Sequence, residues 1–349
     1  MHVCEPMPDV EETYHPGAVF ELYSWQVPSP PTNTDQDTDT HDIYESRPVP
    51  TQLSERYNKS IAERVALPST PPAVSIVLEM RLDSSICRVP HVWTARVQGS
   101  SSPAGATTTI HTTYPPQLVA KIFDPVFFND DETMWDDPFI LRDLAISSEV
   151  EAYRRLGPLQ GTKVPRFYGY FAAAVPGQQG RTVYIILLEK VPGRDLGTIV
   201  PPDVAENVCI KHRDAIIDAA FRLFFNILAY GVKQEDMKSR NVILRPQKHG
   251  SSSVSRTRFC DTKECMLVLE VDCDDLDLVM VDFEMVEFEE PNGSYNEEAV
   301  QTKHIKDVEP SNLAGVAREY VLKCFFITRF VLRMGKLCGG KVRFAIPSA

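Results

Sequence analysis

The residues of this sequence best suited to chemistry are two aspartates and an asparagine in its second half. Asp236 precedes Asn241 by five residues, and Asp282 directly follows the short apolar run 278–281. Carboxylate and amide oxygens are the ligands that Mg²⁺ prefers, and a positioned carboxylate can accept or orient the proton of a reacting hydroxyl. Such a set suits phosphoryl transfer, in which a triphosphate is held, its charge is neutralised and a hydroxyl is aimed at the γ-phosphorus.

Each of these patterns is weak when taken alone. Turns are rich in Asp and Asn, so a D-x-x-x-x-N spacing is not specific, and Asp282 lies in an acidic stretch that could be a solvated face. Lys121, in the strand-like run 118–123, could simply extend to solvent. Their joint order along the chain is more informative about function than any one of them. That order is a strand lysine, a helix acid, a long apolar helix, the 236–241 segment and an apolar strand ending in Asp-Phe.

The elements that must position these residues follow from hydrophobic periodicity. Alternating or continuous apolar runs predict strands, and apolar residues three and four apart predict helices. The predicted strands are 74–80, 92–97, 118–123, 166–174, 182–190, 242–244 and 278–281, and the predicted helices are 139–156, 211–230 and 311–335. An antiparallel sheet with one helix, followed by a mainly helical part, predicts an α+β fold in two lobes.

Motifs around these residues resemble those of the protein-kinase-like superfamily over residues 75–290. The segment GVKQEDMKSRN at 231–241 resembles the catalytic loop H-x-D-x-x-x-x-N, with Gln234 in place of histidine, and 282–284 resembles D-F-G, with Glu284 in place of glycine. Further phrases are similar to poorly characterised kinase-like proteins abundant in filamentous fungi: VAKIFDP at 119–125, EAYRRL at 151–156, LQG at 159–161, VPRFYG at 164–169 and LEKVPG at 188–193. The resemblance implies a bilobal kinase-like fold with a shortened C-terminal lobe.

The resemblance also implies an activity and the residues that carry it. The activity is transfer of the γ-phosphate of ATP, with Mg²⁺ as cofactor, to a hydroxyl of a protein or small molecule. Asp236 would accept or orient the hydroxyl proton, and Lys238 matches a lysine near the transferred phosphoryl group. Asp282 would be the principal magnesium ligand, and Asn241 would add an amide oxygen.

The remaining implied contacts concern ATP itself. Lys121 would reach the α- and β-phosphates, with an acidic partner on the following helix. Glu149 fits the family register for that partner, and Glu151 is the alternative. The segment between the lobes would present backbone groups to adenine, at Leu188, Glu189 and Val191.

Departures from the family pattern support an alternative function. The turn at 81–91 contains no glycine, although glycine lets backbone N–H groups cradle phosphate most closely. Gln234 and Glu284 are substitutions within the two motifs, and only 67 residues follow Asp282, with no Ala-Pro-Glu motif. The alternative is therefore a catalytically impaired pseudokinase that binds nucleotide or a partner. Retention of Lys121 and Asp236 favours the enzyme, because a scaffold has no chemical need for Asp236.

Charge and composition divide the chain and restrict its partners. The formal net charge is −12, which disfavours non-specific binding to nucleic acid or an anionic membrane. Residues 1–72 hold twelve acidic and four basic side chains, and the Pro-, Thr- and Asp-rich stretch 26–52 predicts disorder. Short local structure is expected at 18–23 and 57–67. The predicted organisation is a largely disordered tail at 1–72, an N-lobe with hinge at 73–192 and a shortened C-lobe at 193–349.

Targeting signals and cysteines give weaker indications. The N-terminus does not resemble a signal peptide, and the apolar stretch 316–334 carries five charged residues, so a cytoplasmic or nuclear protein is expected. The eight cysteines are too sparse for a disulfide scaffold. Cys260, Cys265 and Cys273 have poor spacing for zinc, even with His249 as a further ligand, and strand cysteines are more often buried apolar groups.

Overall fold

The computed structural model of this chain describes residues 9–27, 52–82, 90–98, 114–127, 137–200, 208–246, 265 and 276–290. Contacts divide these residues into two compact units. The first comprises the described residues up to Gly161 together with Pro165–Lys190. The second comprises Thr162–Val164 and the described residues from Val191 onward.

The first unit is built on a closed antiparallel sheet. Its strands lie in the order β1-β2-β3-β4-β6-β5, and β5 pairs back to β1. The strands are β1 (Val19–Ser24), β2 (Val74–Arg81), β3 (His91–Val97), β4 (Leu118–Phe123), β5 (Phe167–Ala174) and β6 (Thr182–Glu189). Strands β2 to β6 agree with the predicted strands to within one residue at each end. Their inward-facing apolar side chains form the core of this unit.

Strand β1 lies in the N-terminal tail, at the segment 18–23 where short local structure is expected. It pairs with β2, where Val19 lies opposite Val77, and with β5, where Tyr23 lies opposite Ala172. Phe20 and Leu22 alternate with outward-facing residues and are fully buried. Burying these two large side chains offsets the entropy of ordering the segment. Strand β1 and the helix at Leu53–Ala62 fall on or beside the two segments where short local structure is expected, 18–23 and 57–67. The predicted disorder of the rest of the tail stays a prediction, since residues 1–8 and 28–51 lie outside the described residues.

The helices of the first unit begin at residues that satisfy their free N–H groups. α1 (Val10–Thr13) follows Asp9, and α2 (Leu53–Ala62) begins where the Gln52 N–H donates to the Glu55 carboxylate at 3.3 Å. α3 (Pro138–Arg155) follows Asp137, whose carboxylate accepts the Phe139 N–H at 2.9 Å. Its first residue is proline, which needs no hydrogen-bond acceptor there. α3 agrees with the predicted helix 139–156.

A buried ion pair joins the N-terminal segment to the closed sheet. The Asp124 carboxylate accepts hydrogen bonds from Arg181 Nη1 at 2.7 Å and from the Tyr14 hydroxyl at 2.6 Å. Both charged side chains are fully buried. Burial alone would raise the pKa of Asp124, but the charge of Arg181 and the hydrogen bonds from Arg181 and Tyr14 hold that pKa below its ordinary value. Gln178 Oε1 accepts two further hydrogen bonds from Arg181.

The described part of the second unit contains a long helix and two small antiparallel sheets. In chain order its elements are β7 (Arg194–Asp195), α4 (Leu196–Ile199), α5 (Ile210–Leu228), β8 (Val232–Gln234), β9 (Val242–Leu244), β10 (Leu278–Met280) and β11 (Val286–Phe288). The sheets have the orders β10-β9-β7 and β11-β8. α5 agrees with the predicted helix 211–230 and buries one apolar face, including Ile216, Leu223 and Ile227.

A glycine is required where β7 meets β9. Gly193 has φ +132°, and a Cβ atom there would lie 2.2 Å from the carbonyl oxygen of Leu244. Only a residue without a side chain allows this approach, so the Pro-Gly pair at 192–193 fixes where the chain enters the second unit.

Some predicted features fall outside the described residues. These are the helix over 311–335, most of the turn at 81–91, and three of the residues considered for zinc, His249, Cys260 and Cys273. Among the helices that the structure does describe, none combines the length and the apolar character needed to cross a membrane.

Candidate active site

Two short ladders in the second unit bring the predicted site residues together. β8 pairs with β11, and β9 pairs with β10. The connection from β8 to β9 carries Asp236 and Asn241, and the connection from β10 to β11 carries Asp282. The strands at the two ends of the first loop, β8 and β9, pair with the strands at the two ends of the second loop, β11 and β10. The two loops therefore run side by side. The Val281 N–H donates to the Asn241 carbonyl at 2.8 Å, and the Glu235 N–H donates to the Met285 carbonyl at 3.0 Å.

Asn241 fixes the shape of the Asp236 loop. Its Nδ2 donates to the backbone carbonyl of Asp236 at 2.9 Å and approaches Asp236 Oδ2 at 3.5 Å. Asn241 is 4% exposed and ends a 3₁₀ turn, Ser239–Asn241, that closes the loop. The loop is therefore held by a side chain that is itself fixed by burial.

The Asp236 carboxylate lies among basic side chains. Lys238 Nζ is 2.5 Å from its Oδ1, and Arg240 Nη2 is 3.8 Å from its Oδ2. Lys238 was predicted to act in this loop, whereas Arg240 was not, although its i,i+4 spacing from Asp236 was visible in the sequence. Asp236 and Lys238 are both partly accessible to solvent, so the carboxylate can be reached by a ligand.

Gln234 connects the two loops. Its Oε1 accepts the Asp236 N–H at 3.2 Å, and its Nε2 donates to the backbone carbonyl of Asp282 at 2.5 Å. The side chain is buried. The amide oxygen of Gln234 thus binds the first loop and its amide nitrogen binds the second. Gln234 makes these two contacts at the position where the family pattern has histidine.

Asp282 has an unusual backbone conformation. Its φ is +75°, in the left-handed region that favours glycine over residues with a side chain. Phe283, next to it, is fully buried and anchors the segment. A non-glycine residue in this region is strained, and such strain concentrates at functional positions. Glu284, where the family pattern has glycine, follows in the same loop and is partly exposed.

The side-chain oxygen atoms in these loops are of the chemical type that magnesium prefers. Asp282 offers a carboxylate, and Asn241 offers its Oδ1 because its Nδ2 is engaged by Asp236. Carboxylate and amide oxygens are hard ligands, and Mg²⁺ is commonly bound by one or two of them together with phosphate oxygens. Asp282 and Asn241 are therefore the residues that could hold the ion.

The predicted phosphate lysine lies in the first unit. Lys121 Nζ is 2.5 Å from Glu149 Oε2, which joins β4 to α3. The side chains are 6% and 0% exposed, respectively. Glu151 instead pairs with Arg154 at 2.6 Å and with Arg155 at 2.8 Å. Of the two acids left open by the sequence, the structure places Glu149 on Lys121; contact with phosphate stays a prediction.

The predicted adenine segment ends the first unit. Leu188 is buried in β6, and its backbone lies opposite Val119 and Phe167. The Glu189 N–H donates to the Arg166 carbonyl at 2.9 Å, and the Glu189 carboxylate accepts the Arg166 N–H at 3.0 Å. That amide is therefore not available to a ligand. Val191 is buried at the start of the second unit.

Comparison with known proteins gives no family assignment. No protein-family model matches the sequence, and no curated protein matches it. Among solved structures, WaaP in complex with acyl carrier protein is 13% identical with a TM-score of 0.34, covering 89% of this chain and 94% of that one. At such scores the likeness carries no argument about fold or activity.

Two structures of the Mycobacterium tuberculosis PknI kinase domain are similar at the same level. Both are 16% identical, with TM-scores of 0.34 and 0.33. The matches cover 62% and 64% of this chain, and 62% and 65% of the PknI chains. The chain therefore spans less than two thirds of these neighbours, and the resemblance to fungal kinase-like proteins rests on sequence motifs alone.

Proposed function

We propose that this protein is an ATP- and Mg²⁺-dependent phosphotransferase of the protein-kinase-like superfamily, acting on a hydroxyl of a protein or small molecule. One observation carries the proposal: the Gln234 side chain ties Asp236 and Asp282, residues on separate loops, into one hydrogen-bonded group. Asn241 completes that group from the Asp236 side. The proposal identifies the first unit with the N-terminal lobe and the second with the C-terminal lobe.

Within this proposal each polar residue has a chemical role. Asp236 orients the acceptor hydroxyl and takes its proton, because its carboxylate is accessible and its backbone is fixed by Gln234 and Asn241. Lys238, already beside Asp236, places a positive charge where the phosphoryl group would gain negative charge. Magnesium, when bound, would neutralise the triphosphate, and Asp282 and Asn241 are the residues proposed to hold it.

The proposed contribution of the first unit is to bind ATP. Lys121 would contact the α- and β-phosphates, and Glu149 would hold its side chain in an extended position. Leu188, Glu189 and Val191 would lie against the adenine, using backbone groups other than the Glu189 N–H.

A pseudokinase is the second candidate, and two observations favour it. Lys238 and Arg240 both approach the Asp236 carboxylate, so ion pairs already occupy the group that would have to receive the hydroxyl proton. The sequence at 81–91 also has no glycine with which to cradle phosphate. A module of this kind would bind nucleotide or a partner without turnover.

Replacing Asp236 by Asn separates these functions. Asp236→Asn keeps the size of the side chain but removes the proton acceptor, so we expect Mg²⁺-dependent ATP turnover to fall by about 10²–10⁴-fold. Nucleotide affinity, measured by thermal shift, should change by less than about threefold, since the role of Asp236 is confined to the reacting hydroxyl. Asp218→Asn, the same change on an exposed position of α5, is the matched control and should change neither quantity.

A second substitution tests nucleotide binding. Lys121→Met should weaken ATP binding by about tenfold or more, because a charge-assisted hydrogen bond contributes about 1.5–3 kcal/mol. Since this variant leaves the Glu149 charge without its cation, the double variant Lys121→Met/Glu149→Leu distinguishes lost affinity from lost stability. Nucleotide binding that is lost in the Lys121 variants, with no ATP turnover that Asp236→Asn reduces, would rule out the enzyme and support the pseudokinase. Absence of any nucleotide binding by the wild type would refute both the enzyme and a nucleotide-binding pseudokinase.

A further inference from the structure

Three side chains outside the proposed active site converge at the start of α5. Cys209 is the residue immediately before the helix, His212 lies in its first turn, and Cys265 comes from much later in the chain. His212 Nδ1 is 3.2 Å from Cys209 Sγ and 3.5 Å from Cys265 Sγ. All three atoms lie within 4.8 Å of one another. The sequence suggested Cys265 as a candidate zinc ligand together with Cys260 and Cys273. It did not suggest Cys209 or His212.

The distances suit a tetrahedral metal ion. Zinc binds cysteine sulfur at about 2.3 Å and histidine nitrogen at about 2.0 Å, so sulfur and nitrogen ligands of one tetrahedral ion lie about 3.5 Å apart. The two observed sulfur–nitrogen distances are close to this value. Thiolate and imidazole are ligands that zinc selects, whereas Mg²⁺ prefers oxygen. The cluster is therefore chemically distinct from the Asp282–Asn241 group.

Backbone N–H groups and packing hold the side chains of the cluster in position. The Cys209 N–H points to Cys265 Sγ at 3.5 Å, and the His212 N–H points to Cys209 Sγ at 3.5 Å. The cluster lies at the N-terminal end of a 19-residue helix, and these N–H groups fix the positions of both sulfur atoms. His212 is fully buried and Cys265 is 4% exposed, so the group is held in place by packing.

We propose that Cys209, His212 and Cys265 occupy three of the four coordination positions of a zinc ion. The ion would cross-link the start of α5 to a position 56 residues further along the chain. α5 leads directly into β8 and the Asp236 loop, so this cross-link would support the element that positions the proposed site. The zinc proposal does not depend on nucleotide binding, because its ligands are not residues of the proposed active site. Its test measures zinc content rather than ATP binding or turnover.

Metal content of the purified full chain tests the proposal. Inductively coupled plasma mass spectrometry of protein prepared without chelator should give about one zinc ion per chain. Cys209→Ser, Cys265→Ser and His212→Gln should each reduce the zinc content by about tenfold or more, because each removes a ligand. Cys87→Ser and His15→Gln are matched controls that change the same residue types elsewhere and should keep the ion.

A measurement on the wild type guards against variants that fail to fold. Co²⁺ added to the metal-depleted full chain should produce thiolate-to-cobalt charge-transfer bands and the strong d–d bands of a tetrahedral site. Removal of zinc should lower the melting temperature, and zinc should restore it. Purified protein without zinc that also gives no cobalt bands would overturn the proposal. So would a zinc content unchanged in all three ligand variants, or a Cys209–Cys265 disulfide in protein alkylated at lysis.

Discussion

The amide of Gln234 presents a donor and an acceptor about two ångströms apart, and a buried amide is most stable when both are used. Here the acceptor receives the Asp236 N–H and the donor binds the Asp282 carbonyl, so the two groups bind different loops. An imidazole in one neutral tautomer also offers one donor and one acceptor. Glutamine and histidine are therefore chemically exchangeable at this position in a way that an apolar residue is not.

Gln234→Leu should uncouple the two loops. It keeps the volume of the side chain but leaves two backbone groups without their hydrogen bonds, at a cost of about 1–3 kcal/mol for each buried group. Gln234→His should retain most of the stability. Urea unfolding measures both effects, with Glu235→Gln, on the exposed neighbour, as the control. A leucine variant as stable as the wild type would show that the bridge has no structural role.

The Asp124–Arg181 pair gives a prediction about acid. The pKa of Asp124 is lower in the folded than in the unfolded protein, so its contribution to stability is complete above pH of about 4 and is lost as pH falls through the folded pKa. At neutral pH, Asp124→Asn should cost about 3–5 kcal/mol, because Arg181 is left buried without its counter-charge.

The measurement is the free energy of unfolding of wild type and Asp124→Asn between pH 7 and pH 3. The difference between the two proteins should shrink as the pH falls, since the wild-type carboxylate is then protonated more readily on unfolding. Asp143→Asn changes an exposed aspartate that is also paired with an arginine, and it should cost less than about 1 kcal/mol. A difference that stayed constant down to pH 3 would contradict the argument.

At the scale of elements, β1 distinguishes a folded N-terminal segment from a disordered one. Phe20→Ala should destabilise the protein by about 3–5 kcal/mol, because it leaves a cavity inside the closed sheet. Glu21→Ala, on the exposed side of the same strand, should change stability by about 0.5 kcal/mol or less. Thermal or urea unfolding compares the two, and equal effects would mean that β1 does not contribute to the core.

The length and the apolar character of an element together decided how well the sequence predicted it, since β9 and β10 have only three residues each but are wholly apolar and were predicted. Strands β2 to β6 and helices α3 and α5 carry six to nineteen residues, enough for a period to appear. β8 and β11 have three residues each, too few to show alternation. Yet this pair aligns the loops of Asp236 and Asp282. The sequence thus predicted the residues of the candidate site but not the ladder that aligns them.

At the scale of the whole molecule, contacts between distant residues were the least predictable. Tyr14 and Asp124 are 110 residues apart, and Cys209 and Cys265 are 56 apart. No local spacing links such pairs, because their proximity depends on how completed elements pack. The alternating run at 18–23 predicted local structure in the acidic tail, but not that this strand would pair with both β2 and β5. Local motifs, in contrast, selected the candidate residues, because most of them lie in two short segments; their roles stay a prediction.

Closing the sheet with β1 has a consequence for self-association. A strand at the edge of an open sheet exposes a row of N–H and C=O groups that can pair with another molecule. In the first unit, β1 occupies the edges of both β2 and β5, so the described sheet offers no such row. A shortened chain starting at residue 73, where the kinase-like motifs suggest a boundary, would uncover two edges at once. Such a fragment would be prone to aggregate through strand pairing, so β1 also protects the edges of β2 and β5 from pairing with another molecule.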